Sequence, residues 1–314
     1  MPADRLWHRV RASWSSWRTS RAVWRNSFPA GVCAQNPLTD PDIINAQPEA
    51  PKSSKKVLII GGGPAGMEAA IIACDRGHQV TLVDDHSSLG GTLYFTNVDV
   101  DKPDLRYDKD RLVRQVDRRN IQVRLNTMAD EALIREEKPD AVILAIGVVP
   151  SALPLKGLDT VPQAMFVYDH PEQVTGRNII MLGGGLVGCE VGLHLAKSGH
   201  QVTIVEMMDT IAKDSYGMYK EALFREMDRY GIRLLPGTQC LEVKGNRVRV
   251  RNSQGQEEEL QGDQVFYALG LKARSTEALK KACGDIPCWE IGNCIHVGQV
   301  DIALKEGWQA AVEL

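Results

Sequence analysis

The sequence predicts an α/β fold of two doubly wound units, the second inserted into the first, and three observations predict it. A glycine-rich signature occurs twice, as KKVLIIGGGPAGMEAA from Lys55 to Ala70 and as RNIIMLGGGLVGCEVG from Arg177 to Gly192. In both copies an acid closes a second β-rich run eighteen residues after the last glycine, Asp84 after Gly66 and Glu206 after Gly188. Each half then closes on a run ending in Ala-x-Gly, DAVILAIG (Asp140 to Gly147) and DQVFYALG (Asp263 to Gly270). A repeated strand, glycine loop, helix, strand and acid describes two Rossmann-like dinucleotide-binding domains.

Taken in order, the β-branched run Val57 to Ile60 reads as a buried parallel strand. Gly61, Gly63 and Gly66 fill the three glycine positions of G-x-G-x-x-G, with Pro64 and Ala65 between the last two. The first glycine permits the tight turn, the second lets backbone approach a pyrophosphate, and the third lets helix and strand pack closely. The helix that follows directs its free N–H groups and positive dipole end at phosphate. QVTLVDD is the second strand, and the Asp84 carboxylate at its end is placed to accept hydrogen bonds from an adenosine ribose. Gly90 and Gly91 in HSSLGGT mark either a turn or a close approach to a ligand. An amphipathic helix over 107–119, a strand at IQVRLN, a helix over 129–137 and the strand ending at Gly147 complete the unit, and Pro150 and Pro154 mark the crossover.

The second unit repeats the scheme with Gly183, Gly185 and Gly188, Leu186 and Val187 in the turn, and Glu206 as the acid. A helix over 216–230, strands at IRLLP, CLEVKG, RVRVRN and EEEL, and a strand ending at Gly270 follow. The closing stretch CWEIGNCIHVGQVDIALKEGWQAAVEL holds one strand, a turn at Gly292 and Asn293, and one helix, which is too little for a domain and is expected to return to the first unit. The expected boundaries are a basic arm and linker over 1–54, a first domain over 55–149 plus 284–314, and an inserted domain over 150–283.

A chain of 314 residues with 43% hydrophobic content is long enough for two cores. A formal net charge of −3 gives no footprint for nucleic acid or an anionic membrane, and no run of about 18 apolar residues spans a bilayer. Seven scattered cysteines without a C-x-x-C pair fit a reducing cytoplasm and argue against dithiol chemistry beside a flavin. Cys74 and Cys189 fall in the glycine-motif helices, where small buried hydrophobes belong. Trp7, Trp14, Trp17 and Trp24 among six arginines suit a presequence or a nucleic-acid arm equally, and the plainest reading is a poorly ordered arm. His78, His194 and His200 suit helix C-termini, Glu257 to Glu259 suit a solvated strand or turn, and no metal site is expected.

On these residues the chain resembles one half of the large Old Yellow Enzyme-like flavoproteins, which include 2,4-dienoyl-CoA reductase, enoate reductases and trimethylamine dehydrogenase. The matching stretches are CAQNP, KKVLIIGGGPAGMEAA, VTLVDD with LGG, ALFREMDRYGI, the segment from IIMLGGG through IAKD, and EIGNC. More broadly it is similar to pyridine nucleotide-disulfide reductases. The resemblance implies FAD on Gly61, Gly63, Gly66 and Asp84, with Gly90, Gly91, Gly147, Gly292 and Asn293 beside it. It implies a nicotinamide nucleotide on Gly183, Gly185, Gly188 and Glu206, with Gly270 nearby. Glu206 repels a 2′-phosphate, so NAD(H) is expected over NADP(H). The implied role is an NADH-dependent flavin oxidoreductase module that passes electrons to a small molecule or protein, in the family to an FMN-bearing barrel that reduces activated C=C bonds. The alternative is a non-catalytic subunit holding ADP in the FAD site.

Three departures qualify the resemblance. About fifty residues precede the first strand, where the family has a barrel of some 250 or more residues, so the barrel is expected from a separate chain if at all. The family's [4Fe–4S] cluster needs four cysteines, and only Cys33 stands in the matching context, so no cluster is expected. Asn293 replaces an aspartate that bonds the ribityl chain of FAD, which removes a charge-assisted bond.

Overall fold

The computed structural model describes residues 51–314 apart from 152, 214 and 216, together with 33, 36–39 and 43. The tryptophan- and arginine-rich stretch lies outside the described residues.

The first sheet is built from β1 (Lys56–Ile60), β2 (Gln79–Val83), β3 (Ile121–Arg124), β4 (Ala141–Leu144) and β14 (Cys288–Glu290). All five are parallel, in the order β14-β4-β1-β2-β3. Both faces are covered, which is why β1 and β4 are continuous apolar runs without alternation. Helix α1 (Pro64–Asp75) packs on one face with α2 (Pro103–Asp117) and α8 (Val300–Val312), around Ile59, Met67, Leu112 and Leu304. Helices α3 (Glu131–Glu137) and α7 (Glu277–Cys283) cover the other, around Leu58, Ile134, Leu144 and Cys283. The closing stretch thus supplies the edge strand β14 and the helix α8 to the sheet begun by β1.

The second sheet is β12-β6-β7-β8, also parallel, from β6 (Asn178–Leu182), β7 (Gln201–Val205), β8 (Arg233–Leu235) and β12 (Gln264–Tyr267). Helices α4 (Phe166–Asp169), α5 (Leu186–Lys197) and α6 (Gly217–Arg229) lie on one side. The other side is covered by an antiparallel sheet of β9 (Gln239–Lys244), β10 (Arg247–Arg251) and β11 (Glu257–Gln261). Glu257 and Glu259 face arginines of β10 across the strands, and the alternation of Arg247, Arg249 and Arg251 with buried Val248 and Val250 matches one wet and one dry face. The expected α/β class with two Rossmann-like units is borne out.

Several boundaries move for local reasons. Helix α2 starts at Pro103, ahead of the expected Tyr107, because proline suits a first helical turn. Helix α3 starts at Glu131, where the Asp130 carboxylate caps the Leu133 N–H at 2.9 Å. The strands ending in Ala-x-Gly stop early, at Leu144 and Tyr267, because the next residues turn toward the glycine loops. Past Gly147 the chain does not simply break. Val148–Pro150 (β5) pairs antiparallel with Leu271–Ala273 (β13), a two-stranded ribbon that carries the chain from one sheet to the other and back. No helix among the described residues is long and apolar enough to cross a membrane.

Glu68, on the buried face of α1 and 7% exposed, is an acid in a core position. Burial raises its pKa to about 7, against the pull of Arg111. The folded chain therefore keeps a proton that the unfolded chain releases near 4.5, so this group favours the folded state most at low pH and loses that contribution as pH rises toward about 7. Glu68→Gln should be about as stable as the parent at pH 5 and more stable at pH 8, by at most about 3 kcal/mol. Urea unfolding of both proteins at the two pH values measures this directly.

Candidate functional site

The two glycine loops are superimposable in their constraints. Gly61 has φ +112°, and a side chain there would come within 2.2 Å of the Ala145 carbonyl oxygen; Gly183 has φ +102° and would meet Ala268 O at 2.3 Å. A Cβ on Gly66 would fall 1.8 Å from Gly61 O, and one on Gly188 would fall 2.0 Å from Gly183 O. The repeated Ala-x-Gly runs thus place one alanine carbonyl against each first glycine. The middle glycines differ. Gly63 and Gly185 have extended backbone with negative φ. A Cβ on Gly63 would find only Gly91 Cα at 3.8 Å, and one on Gly185 nothing within 4 Å. The fold itself does not require glycine at these two positions, whereas a phosphate seated on the loop does.

The acids hold the loops in matching ways. Asp84 accepts the Gly62 N–H on Oδ2 and the His86 N–H, at 2.8 Å, on Oδ1. Glu206 accepts the Gly184 N–H at 2.6 Å on Oε2 and the Met208 N–H at 2.8 Å on Oε1. Each carboxylate retains lone pairs for a further donor such as a ribose hydroxyl. Asp84 is buried and Glu206 half-buried.

A cavity of about 490 Å³ opens along the carboxyl ends of the first sheet. Its walls follow the strand order: Thr127 and Met128 after β3, Asp84 after β2, Gly61 and Gly63 after β1, Ala145 to Gly147 after β4, and Gly292 with Asn293 after β14. Open α/β sheets bind ligands at this edge. Pro64 and Ala65 line the cavity at the N-terminus of α1, and Gln299 and Val300 line it at the N-terminus of α8, so two positive helix ends face one space. The lining and length of this cradle fit an extended dinucleotide.

Of the other expected residues, Gly91 (φ +53°) lies against Gly63, 2.8 Å from its would-be Cβ to Gly63 Cα, and the Gly90 N–H bonds Gly62 O at 2.9 Å. The close approach there is to the protein's own backbone. Gly147 (φ +72°) lines the cavity with open space beside it, and Gly270 (φ +100°) sits at the ribbon, where its carbonyl accepts the Ser151 N–H at 3.0 Å. Leu186 and Val187 open helix α5, with Val187 39% exposed beside the second loop. Gly292 (φ +68°) donates its N–H to Glu306, and the Asn293 side-chain oxygen accepts the Gly298 N–H at 3.0 Å. On the resemblance, which sets the ribityl chain of FAD beside this residue, Asn293→Asp keeps that acceptor and adds a negative charge, so FAD affinity should rise roughly fivefold, read by flavin fluorescence quenching.

Sequence reasoning missed Arg274, which enters the cavity from the end of the ribbon and pairs with Asp85 at 3.0 Å. Burial works against the Asp85 charge, but the guanidinium holds its carboxyl below the usual value. No spacing joins residues so far apart in the chain. Asp84, Asp85 and His86 bring three potential ligand atoms within 4.8 Å of one another, but backbone N–H groups and Arg274 already engage the acids. Cys189 is fully buried, and burial pushes its thiol up to about 12, in keeping with a core residue; Cys74 is half-buried. Cys283 and Cys288, without any C-x-x-C spacing, are hydrogen-bonded neighbours in the first core.

The connection from Gly91 to Lys102 straps the first unit to the second. The Phe95 and Tyr168 rings stand 5.5 Å apart, and the buried Tyr168 hydroxyl donates to Asp99 at 2.9 Å. Lys197 donates to Asp101 at 2.7 Å, and Lys102 reaches Glu190 and Tyr219.

The sequence profile of the pyridine nucleotide-disulphide oxidoreductase family matches residues 30–133 and 55–293. Among curated proteins, the chain is 32% identical over 291 residues to an NADH oxidase of Thermoanaerobacter brockii, covering 90% of this chain and 44% of that protein. It is 34% identical over 260 residues to a bilirubin reductase of Mediterraneibacter gnavus, covering 82% and 40%. Among solved structures, a 2-naphthoyl-CoA reductase superposes with a TM-score of 0.82 at 26% identity, over 90% of this chain and 43% of that one. The resemblance drawn from the motifs is borne out, and the chain spans less than half the length of these relatives.

Proposed function

Because the chain belongs to the pyridine nucleotide-disulphide oxidoreductase family, we propose that it is the flavin-reducing module of an NADH-dependent oxidoreductase, with FAD on the first glycine loop and NADH on the second. When bound, FAD would supply hydride acceptance from a nicotinamide and onward release of electrons singly or in pairs. The chain's own residues bind and orient. Gly61 to Gly66 and the α1 N-terminus would seat the FAD pyrophosphate, Asp84 its adenosine ribose, and Asn293 with the α8 N-terminus its flavin half. Gly183 to Gly188 and Glu206 would hold the nicotinamide nucleotide in the same manner. These domain and residue assignments rest on the paired loop geometry.

The observation that carries the reading is the pair Gly63 and Gly185, where the protein leaves room for a side chain that a phosphate would displace. The onward acceptor is a small molecule or a partner protein; the resemblance points to an FMN-bearing barrel, fused or separate, that reduces an activated C=C bond. The test is the visible spectrum of the purified protein before and after anaerobic NADH. A flavin band that bleaches supports the reading. A protein that stays colourless after incubation with FAD overturns it in favour of a nucleotide-binding subunit without turnover.

On this reading the Glu206 carboxylate would repel a 2′-phosphate, and exposed Met207 and Met208 beside it offer no cation. Glu206→Gln keeps an acceptor for Gly184 but removes the charge. The preference for NADH over NADPH in kcat/KM should narrow about tenfold.

A further inference from the structure

Tyr94 is the one phenyl ring lining the cavity among the described residues, and it also packs against the core of the second unit. It sits on the strap, three residues past Gly91, with its hydroxyl against the Asp169 carboxylate at the end of α4. The second unit joins the first through β5, directly after cavity-lining Gly147. Gly91, three residues before Tyr94, lies against Gly63 of the first glycine loop, and in the proposed reading the flavin half lies beyond that loop from Asp84, on the side of the second unit.

From this juxtaposition we propose that Tyr94 is a positioning residue, whose ring walls the flavin half of the bound FAD and whose hydroxyl ties that wall to Asp169 of the nicotinamide-binding unit. The inference rests on the reading of the cavity as an FAD site. Burial and the adjacent Asp169 carboxylate raise the phenol pKa, so it remains a hydrogen-bond donor. The neighbouring contacts Phe95 to Tyr168 and Asp99 to Tyr168 fix the same strap to the same helix, so the ring is presented from a held segment. An aromatic ring also suits the face or edge of a tricyclic ligand.

The test is FAD titration of the apoprotein, followed by flavin fluorescence and the visible spectrum, for the parent, Tyr94→Ala, Tyr94→Phe and Asp169→Asn. The FAD-free proteins are also unfolded in urea as a double-mutant cycle of the last two changes. Removing the ring should weaken FAD on the order of tenfold and shift the visible band. Tyr94→Phe should bind FAD within about threefold of the parent, with the hydroxyl's loss seen instead as non-additivity with Asp169→Asn in the urea cycle. Unchanged affinity and spectrum in Tyr94→Ala overturn the wall, and strict additivity in the cycle overturns the tie. A parent that takes up no FAD overturns the reading of the cavity itself, an outcome distinct from either.

Discussion

Gly63→Ala should fold as well as the parent and bind almost no FAD. The extended backbone at Gly63 suits any residue, and its Cβ would meet nothing closer than 3.8 Å. Unfolding stability should be unchanged or raised by about 0.5 kcal/mol, since alanine restricts the unfolded chain. A methyl group where the pyrophosphate approaches removes one or two charge-assisted bonds of about 1.5–3 kcal/mol each, on the order of a hundredfold in affinity. Gly185→Ala is the matched case. It should keep FAD and its yellow colour, yet no longer bleach with NADH while still bleaching with dithionite. Circular dichroism melts and flavin content, measured together, separate a lost cofactor from a lost fold. Equal loss of flavin in both variants would dissociate the second loop from the nicotinamide role.

Gly307→Ala should do the reverse and act through stability. On α8, a Cβ at Gly307 would lie 2.4 Å from the Ala65 carbonyl oxygen and 3.1 Å from Glu68 Cβ. Backbone of α1 cannot give way without moving the glycine loop that begins it, so the two helices must separate. The expected cost is about 3 kcal/mol, at the upper end for overpacking, with a lower urea midpoint and secondary weakening of FAD. A midpoint equal to the parent's would mean that α8 does not hold α1 at this distance.

These two glycines also show where sequence reasoning ends. Gly63 was recognisable because its neighbours form a fixed spacing with a chemical purpose, and the same spacing located Gly185, Asp84 and Glu206. Gly307 lies in an amphipathic helix with no motif around it, and only its partner, far away in the chain, explains it. Arg274 with Asp85, Glu306 with Gly292 and Tyr94 with Asp169 are of the same kind. None of their spacings is a repeat or a helical or strand period, so nothing local marks them.

By itself the sequence determined the α/β class, the duplication, the two phosphate loops and the acids that close them. Those features follow from local physics: apolar runs that must be covered on both faces, glycines at positive φ, and helix ends that attract anions. Tertiary structure alone decided which glycines the packing of the fold requires and which it leaves with open space, because that depends on what another segment places within a few ångströms. It also decided how the 91–102 strap seats one unit on the other, since a contact between distant segments is set by the summed packing of both cores and leaves no periodic trace in either.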